Sequence, residues 1–251
     1  MAKKRPTVAD VAHLAGVSMM TVSRVMNNLP GVSKETRQRV RNIADQIDFH
    51  PSQRARSLVT HHSATVGLVM PDVANPFFAQ IARGAEDAAY EQGYSLFLIN
   101  TAEDTEREKS ALDTLWRQEI DGAILCSPRL SMSTLKPFIE RFPAKVLVNR
   151  EMEKPIVSTA TINVDDHLGA QLVVNQFLSC GRKCIGYVAG PITSVSSRRR
   201  LEGYQKNLVS AGITFQSTLV EYCLPNTTDG RIATLKLLSR HPEIDALYCF
   251  N

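Results

Sequence analysis

The sequence predicts two parts of different class: a small all-helical part at the N-terminus and a larger α/β body built on parallel sheets. Three observations predict this division. A tight joint at Gly16-Val17-Ser18 lies between two short stretches with helical apolar spacing. From Ser63 onward, short apolar runs alternate with amphipathic stretches, as in strand–helix–strand units. Residues 1–62 hold ten Lys and Arg against four Asp and Glu, whereas the rest holds nineteen against twenty-one.

Composition indicates a folded chain of more than one domain. The 251 residues are 43% hydrophobic, which is enough to bury a substantial core. Residues 1–62 carry a net charge of +6 (10 − 4), and the remainder carries −2 (19 − 21). A basic module on a near-neutral body indicates a polyanionic partner, either nucleic acid or an anionic membrane. A merely soluble basic tail is the alternative, which the apolar periodicity inside the module disfavours.

Several classes of function find no support in the sequence. The basic opening MAKKRP is followed by no apolar signal segment, and no run reaches ~18 apolar residues, so we expect a cytoplasmic protein rather than a transport binding protein. Five cysteines without a Cys-x-x-Cys pair are expected to be reduced and mostly buried, with no metal site. No phosphate-binding glycine loop, Ser-His-Asp order or paired-carboxylate motif is present, so neither a cofactor nor an enzymatic activity is predicted.

Caps and apolar spacing predict the first two helices. Thr7-Val8-Ala9-Asp10 has the form of a capping box, so a helix should begin near Val8. Its apolar positions repeat at helical spacing: Val8, Val11, Ala12 and Ala15. Gly16 supplies the permissive backbone of a tight turn, and Ser18 is the expected N-cap of the second helix.

Three short helices with so tight a first turn match the helix-turn-helix, whose second helix enters the major groove of DNA. The second helix has one apolar face, formed by Val22, Val25 and Met26. Its other faces carry Met19, Met20, Ser23, Arg24 and Asn27. A third helix is predicted from Ser33, burying Val40, Ile43, Ala44 and Ile47. An ordinary three-helix bundle is the alternative.

The polar side chains on the surface of this module favour DNA as its binding partner. Small hydroxyl and amide side chains at helix starts and turns suit phosphate contacts: Thr7, Ser18, Thr21, Ser23, Asn27 and Ser33. Arg24, on the exposed face, is predicted to read guanine. The following segment SQRARSLVTHHS is basic, with Ser52 at a cap position and one apolar Leu58. A helix this short is unstable alone, so the segment is either a minor-groove wedge or a flexible linker.

Six apolar runs predict short buried strands in the body: TVGLVM, SLFLIN, GAILCS, KVLVN, IGYVAG and DALYCF. Amphipathic stretches between most of them predict helices, and therefore parallel sheets. Such sheets bind ligands beyond the carboxyl ends of their strands. Candidate ligand residues are therefore those that directly follow a strand.

Two stretches supply candidates of this kind. After the first strand, Asn75 offers an amide, and Phe77 or Phe78 offers a ring that can lie against a ligand. Packing in the core is the alternative for both rings. Asn149 ends the fourth strand beside Arg150, and either can face a polar ligand. A turn amide is the alternative for the asparagine.

The run SVSSRRRLEGY breaks a local rule. A helix predicted from near Ser196 carries three arginines in its first turn, where the helix dipole disfavours cations. A rule broken in this way indicates function. At roughly 100° per residue, the three side chains cannot all face one ligand. The pair Asp165-Asp166 precedes another helix and is expected to cap it.

Four segments, in this order, closely resemble the LacI/GalR family of bacterial transcriptional repressors: TVADVAHLAGVSMMTVSRVMNN, FHPSQRARSL, TVGLVMPDVANPFFAQIARGAEDAAYEQGYSLFLINT and DGAIL. The resemblance implies a DNA-binding domain over residues 1–50 and a hinge helix over 51–62. It also implies two lobes, over 63–160 and 161–251, similar to periplasmic sugar-binding proteins. Such a protein is a homodimer at the bacterial nucleoid that binds double-stranded operator DNA and a small-molecule effector, expected here to be a sugar, between the lobes.

The resemblance assigns roles on the DNA side. Met19 and Met20 fall at base-reading positions where family members carry hydrogen-bonding side chains. Thioethers cannot make the bidentate pairs that separate guanine from adenine, so thymine methyls or groove shape are the expected targets. Packing is the alternative for either methionine taken singly. Ala55 and Leu58 correspond to the hinge residues that pack and wedge in the minor groove.

The resemblance also assigns roles on the effector side. The family pattern Ser-x-x-x-Arg selects Arg200 for effector contact, and further positions that reach the ligand are Ser194, Ser196 and Asn251. Arg198 and Arg199 are expected to be solvated. Family members continue beyond the position of Asn251 with strands and helices that complete both lobes. We therefore expect the second lobe to be incomplete and the body to be poorly stable, weak in effector binding and weak in dimerisation.

Overall fold

The computed structural model describes residues 6–50, 62–152 and 154–251. The chain divides into two units, Met1–Ser63 and Ala64–Asn251. The predicted hinge helix, with Ala55 and Leu58, lies outside the described residues. Among the helices described, none combines the length and apolar character that crossing a membrane requires.

The N-terminal unit contains the predicted helices α1 (Val8–Ala15), α2 (Met19–Met26) and α3 (Lys34–Gln46). The capping box is confirmed: the Thr7 hydroxyl accepts from the Asp10 backbone N–H, and the Asp10 carboxylate accepts from the Thr7 N–H at 2.7 Å. Gly16 has φ 62, a left-handed conformation that costs glycine little and ends α1. Ser18 caps α2 as predicted, and Ser33, predicted as the start of the third helix, is the N-cap of α3.

Apolar side chains from all three helices share one core in this unit with Phe49, which follows α3: Val11, Ala12, Ala15, Val22, Val25, Val40 and Ala44. Ile43 and Ile47 pack against this core but stay partly exposed. Helices as short as α1 and α2 are marginal alone in water, so this common core stabilises them.

The first lobe of the body alternates strands and helices: β1 (Thr65–Met70), α4 (Pro76–Glu91), β2 (Ser95–Asn100), α5 (Thr105–Arg117), β3 (Gly122–Cys126), α6 (Met132–Ile139), β4 (Ala144–Val148) and β5 (Thr159–Ile162). The strands form one parallel sheet in the order β2-β1-β3-β4-β5. Helices cover both faces. Leu115 of α5 packs with Leu125 on one face, and Phe78 of α4 packs with Leu68 on the other.

The second lobe repeats the pattern with α7 (Asp166–Ser179), β6 (Ile185–Ala189), α8 (Val195–Ser210), β7 (Val220–Tyr222), α9 (Thr227–Arg240) and β8 (Ala246–Cys249). Its described strands form a parallel sheet in the order β7-β6-β8. Tyr187 of β6 packs with Tyr204 of α8 on one face, while Val188 packs with Leu237 of α9 on the other.

The six predicted strands are confirmed, but β5 and β7 were missed. Both are short edge strands whose residues TATI and VEY are mostly exposed or partly exposed, so they lack the apolar run that marks a buried strand. Because β5 pairs with β4 as far as Ile162, the first lobe extends two residues beyond the predicted boundary at 160.

The cysteines differ from their prediction. All five are free thiols, but only Cys126 is buried, and Cys180 and Cys249 are exposed. The expectation of mostly buried thiols is therefore wrong, because the others lie at strand and helix ends rather than in sheet interiors. Burial raises the pKa of the Cys126 thiol to about 12, so this thiol stays protonated at neutral pH.

Candidate functional site

The start of α2 presents two large apolar side chains to solvent. Met19 and Met20 are 59% and 69% exposed, whereas Val22 and Val25 on the other side of the helix are buried. Ser18 fixes this start by accepting from the Thr21 backbone N–H at 3.1 Å. Side chains this exposed do not fill the core, so the structure disfavours packing as the role of either methionine.

Arg24 lies on the exposed side of α2, and its side chain makes no hydrogen bond or ion pair within the described residues. The loop that follows α2 is held by two arginines of α3. Arg37 donates to the Leu29 carbonyl at 2.8 Å, and Arg41 donates to Asn28 Oδ1 at 2.6 Å. The sequence indicated these two arginines only through their contribution to the positive charge of residues 1–62, and it predicted no role for either of them.

Four of the predicted phosphate-contacting residues are helix caps, namely Thr7, Ser18, Asn27 and Ser33, whereas Thr21 and Ser23 lie within α2. The hydroxyls of Ser18 and Ser33 each accept from a first-turn backbone N–H and contact a threonine hydroxyl. Asn27 donates to the Ser23 carbonyl at 3.0 Å and is partly buried. The exposed caps Thr7, Ser18 and Ser33 are thus the more accessible members of the set.

In the body, a cleft of about 450 Å³ opens between the lobes at the carboxyl ends of their strands. The residues that line it include Asp72 and Asn75 after β1, Gly190 after β6, Asn226 and Arg231 at the start of α9, and Phe250 and Asn251 after β8. Asp72 and Arg231 are the charged residues of this lining. Asn75 also caps α4, with its Oδ1 accepting from the Phe77 N–H at 3.0 Å.

The two phenylalanines after β1 have different environments. Phe77 is 43% exposed, whereas Phe78 is 5% exposed and packs with Leu68 and Met70 in the sheet core. The rings meet edge to face with centroids 5.1 Å apart. The structure therefore favours packing for Phe78 and leaves Phe77 as the ring available to a ligand.

Asn149 and Arg150 are buried beside neighbouring loops rather than in the cleft lining. Asn149 has φ 56, and its Nδ2 lies 3.3 Å from Ser127 Oγ, while its Oδ1 has no hydrogen-bond partner among the described residues. Arg150 donates to the Leu130 carbonyl at 2.8 Å. Burial lowers the pKa of Arg150, against a raising effect of nearby Glu108. The positive φ of Asn149 supports the turn alternative.

Next to these residues lies an ionic cluster that was not predicted. Arg129 makes a bidentate ion pair with Glu103, with Nη2 at 2.9 Å from Oε1. Glu108 accepts from the backbone N–H groups of Arg129 and Leu130 at 2.8 and 3.3 Å. Burial raises the pKa of Glu108, while those hydrogen bonds and the nearby arginines oppose the shift. Single residues at the ends of separate elements build this cluster, so the sequence gives no local signal for it.

Arg200 lies at the carboxyl edge of the second sheet, in contact with Asp166. Its Nε donates to Asp166 Oδ1 at 2.8 Å, its Nη1 donates to the Phe250 carbonyl, and its guanidinium lies 4.7 Å from the Phe250 ring centroid. Asp165 caps α7 as predicted, by accepting from the Leu168 N–H at 2.9 Å. The expected capping role of Asp166 is wrong, because its buried carboxylate faces Arg200.

The first turn of α8 contains the other predicted residues. Ser194 caps the helix, which begins one residue earlier than predicted, and Ser196 is buried in that turn. Arg198 is exposed, as expected. Arg199 is not solvated: it pairs with Glu151 of the first lobe at 2.6 Å, with only 15% of its side chain exposed. The sequence separation of these partners explains the miss.

Comparison with known proteins agrees with this two-part architecture. Residues 7–52 match the family described as bacterial regulatory proteins, lacI family, and residues 63–251 match the periplasmic binding proteins and sugar binding domain of the LacI family. The HTH-type transcriptional regulator GalR of Escherichia coli K12 is 33% identical over 245 residues, which are 98% of this chain and 71% of that protein.

Two solved structures are similar over the same extent. The Lac repressor dimer bound to operator and the anti-inducer ONPF has a TM-score of 0.81 at 26% identity, covering 98% of this chain and 74% of that one. The complex of the transcriptional regulator CelR with cellobiose has a TM-score of 0.64 at 29% identity, with the same coverage.

Fold and sites together define a bacterial transcription regulator rather than an enzyme: a helix-turn-helix that binds DNA, joined to a body that binds a small-molecule effector. The chain belongs to the LacI family of DNA-binding transcriptional repressors.

Proposed function

We propose that α2 lies in the major groove of the operator, with Met19 and Met20 against base edges and Arg24 on a guanine. The observation that carries the proposal is the exposure of both methionines at the start of the helix. First-turn residues of a recognition helix contact bases. A thioether has no donor and only a weak acceptor, so its best partner there is the C5-methyl group of thymine. Contacts to phosphates fix the position of the protein along the DNA. The residues that make these contacts are Thr7, Ser18, Thr21, Ser23, Asn27 and Ser33.

Uracil substitution tests the role of the methionines. The operator is first selected from a random DNA library with the 251-residue chain, and each thymine of a half-site is then replaced by uracil, which removes only the methyl group. We expect a loss of about 0.8 kcal/mol, roughly fourfold in affinity, at the positions that the methionines cover. The Met19→Ala/Met20→Ala double variant should be insensitive to the same replacements. An equal loss in both proteins would contradict the assignment.

We propose that the protein acts in the cytoplasm, at the nucleoid, as a homodimer on a near-palindromic operator. The Lac repressor, to which this chain is similar, was solved as a dimer on its operator, and half-sites about one helical turn apart suit such symmetry.

Within the hinge, we propose that Leu58 wedges into the minor groove and that Ala55 packs beside it. Gel phasing tests the wedge: Leu58→Ala should reduce the DNA bend, and equal bending would refute it.

We propose that the effector is a sugar or sugar derivative bound in the cleft between the lobes. The observation that carries this is a cleft lined by amides and an aromatic ring at the carboxyl ends of both sheets. Asn75 and Asn251 supply hydrogen bonds, Phe77 supplies a ring face, and Arg200 supplies donors. Ser194 caps α8, the helix that carries Arg200, and Ser196 lies buried in its first turn.

A thermal-shift screen of sugars and purines on the 251-residue chain tests the effector proposal. A binding sugar should raise the melting temperature of the wild type, with a smaller rise for Arg200→Gln. Arg198→Gln is the matched control, because Arg198 is exposed on the same helix and should leave the rise unchanged. A purine that stabilises the chain when no sugar does would contradict the proposed ligand class.

A further inference from the structure

The Arg200–Asp166 pair combines a deeply buried carboxylate with a partly exposed guanidinium. Asp166 is the first residue of α7, and its side chain is 2% exposed, whereas 25% of the Arg200 side chain is exposed. Asp165 already caps the helix, so the carboxylate of Asp166 is available to the guanidinium. A carboxylate buried this deeply needs a charged partner, because an isolated buried charge is strongly destabilising.

Close packing of α7 and α8 fixes this pair. Gly203, one turn beyond Arg200, faces Ala170, one turn beyond Asp166. A Cβ added to Gly203 would lie 2.8 Å from the Ala170 Cβ, so the helices approach as closely as a glycine allows. The same face therefore brings Arg200 Nε within 2.8 Å of Asp166 Oδ1.

The rest of the guanidinium is held from the sheet side. Nη1 donates to the Phe250 carbonyl, and the guanidinium stacks on the Phe250 ring. Phe250 in turn lies against Gly190, where an added Cβ would be 2.6 Å from the ring, and both residues line the cleft. Nη2 makes no hydrogen bond with any residue that the structure describes. Arg200 is therefore held in one orientation with one amino group left for a ligand.

We infer that Asp166 is a positioning residue that neutralises Arg200 and makes the effector site select a neutral, hydroxylated ligand over its phosphorylated or acidic counterpart. This inference rests on the proposed effector site. An anion drawn to Arg200 meets the Asp166 carboxylate on the same guanidinium, while a hydroxyl accepts from Nη2 without that repulsion. The charged side chains of the cleft lining, Asp72 and Arg231, also carry opposite charges.

The experiment compares the 251-residue wild type with Asp166→Asn and, as control, Asp165→Asn. Asp165→Asn makes the same change of charge one residue away, and asparagine caps a helix about as well as aspartate. Probes are neutral mono- and disaccharides, their 6-phosphates, the matching uronic acids, and inorganic phosphate alone. Calorimetry and thermal melting are measured for each protein and probe.

We expect the wild type to bind a neutral sugar at least ~10-fold more tightly than its phosphate or uronic acid. Asp166→Asn should lose that preference and gain a rise in melting temperature with inorganic phosphate, a response that a merely structural role does not produce. Asp165→Asn should behave as the wild type.

Two results overturn the inference: a wild type that binds the anionic sugar as tightly as the neutral one, or an Asp166→Asn protein that does not respond to phosphate. The wild-type comparison stands even if Asp166→Asn fails to fold. If no sugar binds any of the proteins while Asp166→Asn alone responds to phosphate, the sugar proposal fails and the charge assignment holds.

Discussion

At the scale of single residues, three arginines of the body lie against carboxylates. Arg129 pairs with Glu103, Arg199 with Glu151 and Arg200 with Asp166. Arg24 of the N-terminal unit has no such partner within the described residues. An unpaired, exposed guanidinium is free to make a bidentate contact with a base or a phosphate, whereas the paired ones are already oriented by protein.

Substitution of Arg24 tests its role in base reading. Arg24→Ala should cost ~1 to 3 kcal/mol of specific binding and relax discrimination at one base pair, because a bidentate contact to guanine is lost. Competition binding on the selected operator and on single-base variants measures this. Arg39→Ala, which removes an exposed charge from α3, should weaken binding to all sequences by similar factors. Wild-type discrimination in the Arg24 variant would show that another residue reads that base.

Two buried tyrosines form a matched pair for measuring the cost of an unsatisfied hydroxyl. Tyr204 Oη donates to the Ile185 carbonyl at 2.6 Å, whereas Tyr187 Oη has no hydrogen-bond partner in the described part of the chain. Tyr204→Phe should lower the free energy of unfolding by ~1 kcal/mol, and Tyr187→Phe should leave it unchanged or raise it. Melting of both variants beside the wild type decides this, and equal destabilisation would contradict it.

At the scale of elements, helix ends and helix contacts decide where side chains point. The N-cap Ser18 sets the start of α2, and so the direction in which the two methionines leave the helix. In the second lobe, the close approach of α7 and α8 sets the position of Arg200. Local backbone chemistry determines the first arrangement, whereas the second depends on two helices meeting.

Two glycines on these facing helices allow the effects of helix propensity and of side-chain packing to be measured separately. Gly203→Ala should destabilise the body by ~1 to 3 kcal/mol, because its Cβ would meet the Ala170 Cβ at 2.8 Å and the His167 carbonyl at 3.0 Å. Gly169→Ala, on α7, should instead stabilise by ~0.5 to 1 kcal/mol, since nothing lies within 4 Å of its added Cβ. Denaturant unfolding of the two variants measures whether each substitution lowers or raises the free energy of unfolding. A neutral Gly203→Ala would mean that the helices separate easily.

At the scale of the whole molecule, the net charge differs between the DNA-binding part and the effector-binding part. Residues 1–62 carry +6 and residues 63–251 carry −2. Polyanion binding therefore depends on the N-terminal part, while the effector cleft is close to neutral.

Salt dependence tests this separation. Raising NaCl from about 50 to about 200 mM should weaken operator binding by ~10³-fold or more if six or more phosphates are contacted, because counterions are released on binding. Binding of a neutral sugar should hardly change over the same range, since no net charge is neutralised in the cleft. Operator and sugar titrations at matched salt concentrations provide the comparison. A salt-dependent sugar affinity would contradict a neutral cleft.

The sequence by itself determined the features that depend on neighbouring residues. The capping box at Thr7, the turn at Gly16 and the six apolar strands are set by spacing within a few residues, and the structure has each of them. The same local patterns carried the family resemblance, and with it the selection of Arg200. Local chemistry suffices here because caps, tight turns and buried strands bias the chain before distant contacts form.

Only the tertiary structure decided which polar groups meet. Asp166 was expected to cap a helix and Arg199 to be solvated, yet each pairs with a partner more than thirty residues away. Phe77 and Phe78, adjacent and alike in sequence, separate into an exposed ring and a core ring. The edge strands β5 and β7 form because a neighbouring strand offers its hydrogen bonds, not because their residues form a buried apolar run. In each case the deciding free energy comes from burial and pairing between distant segments, which no local pattern records.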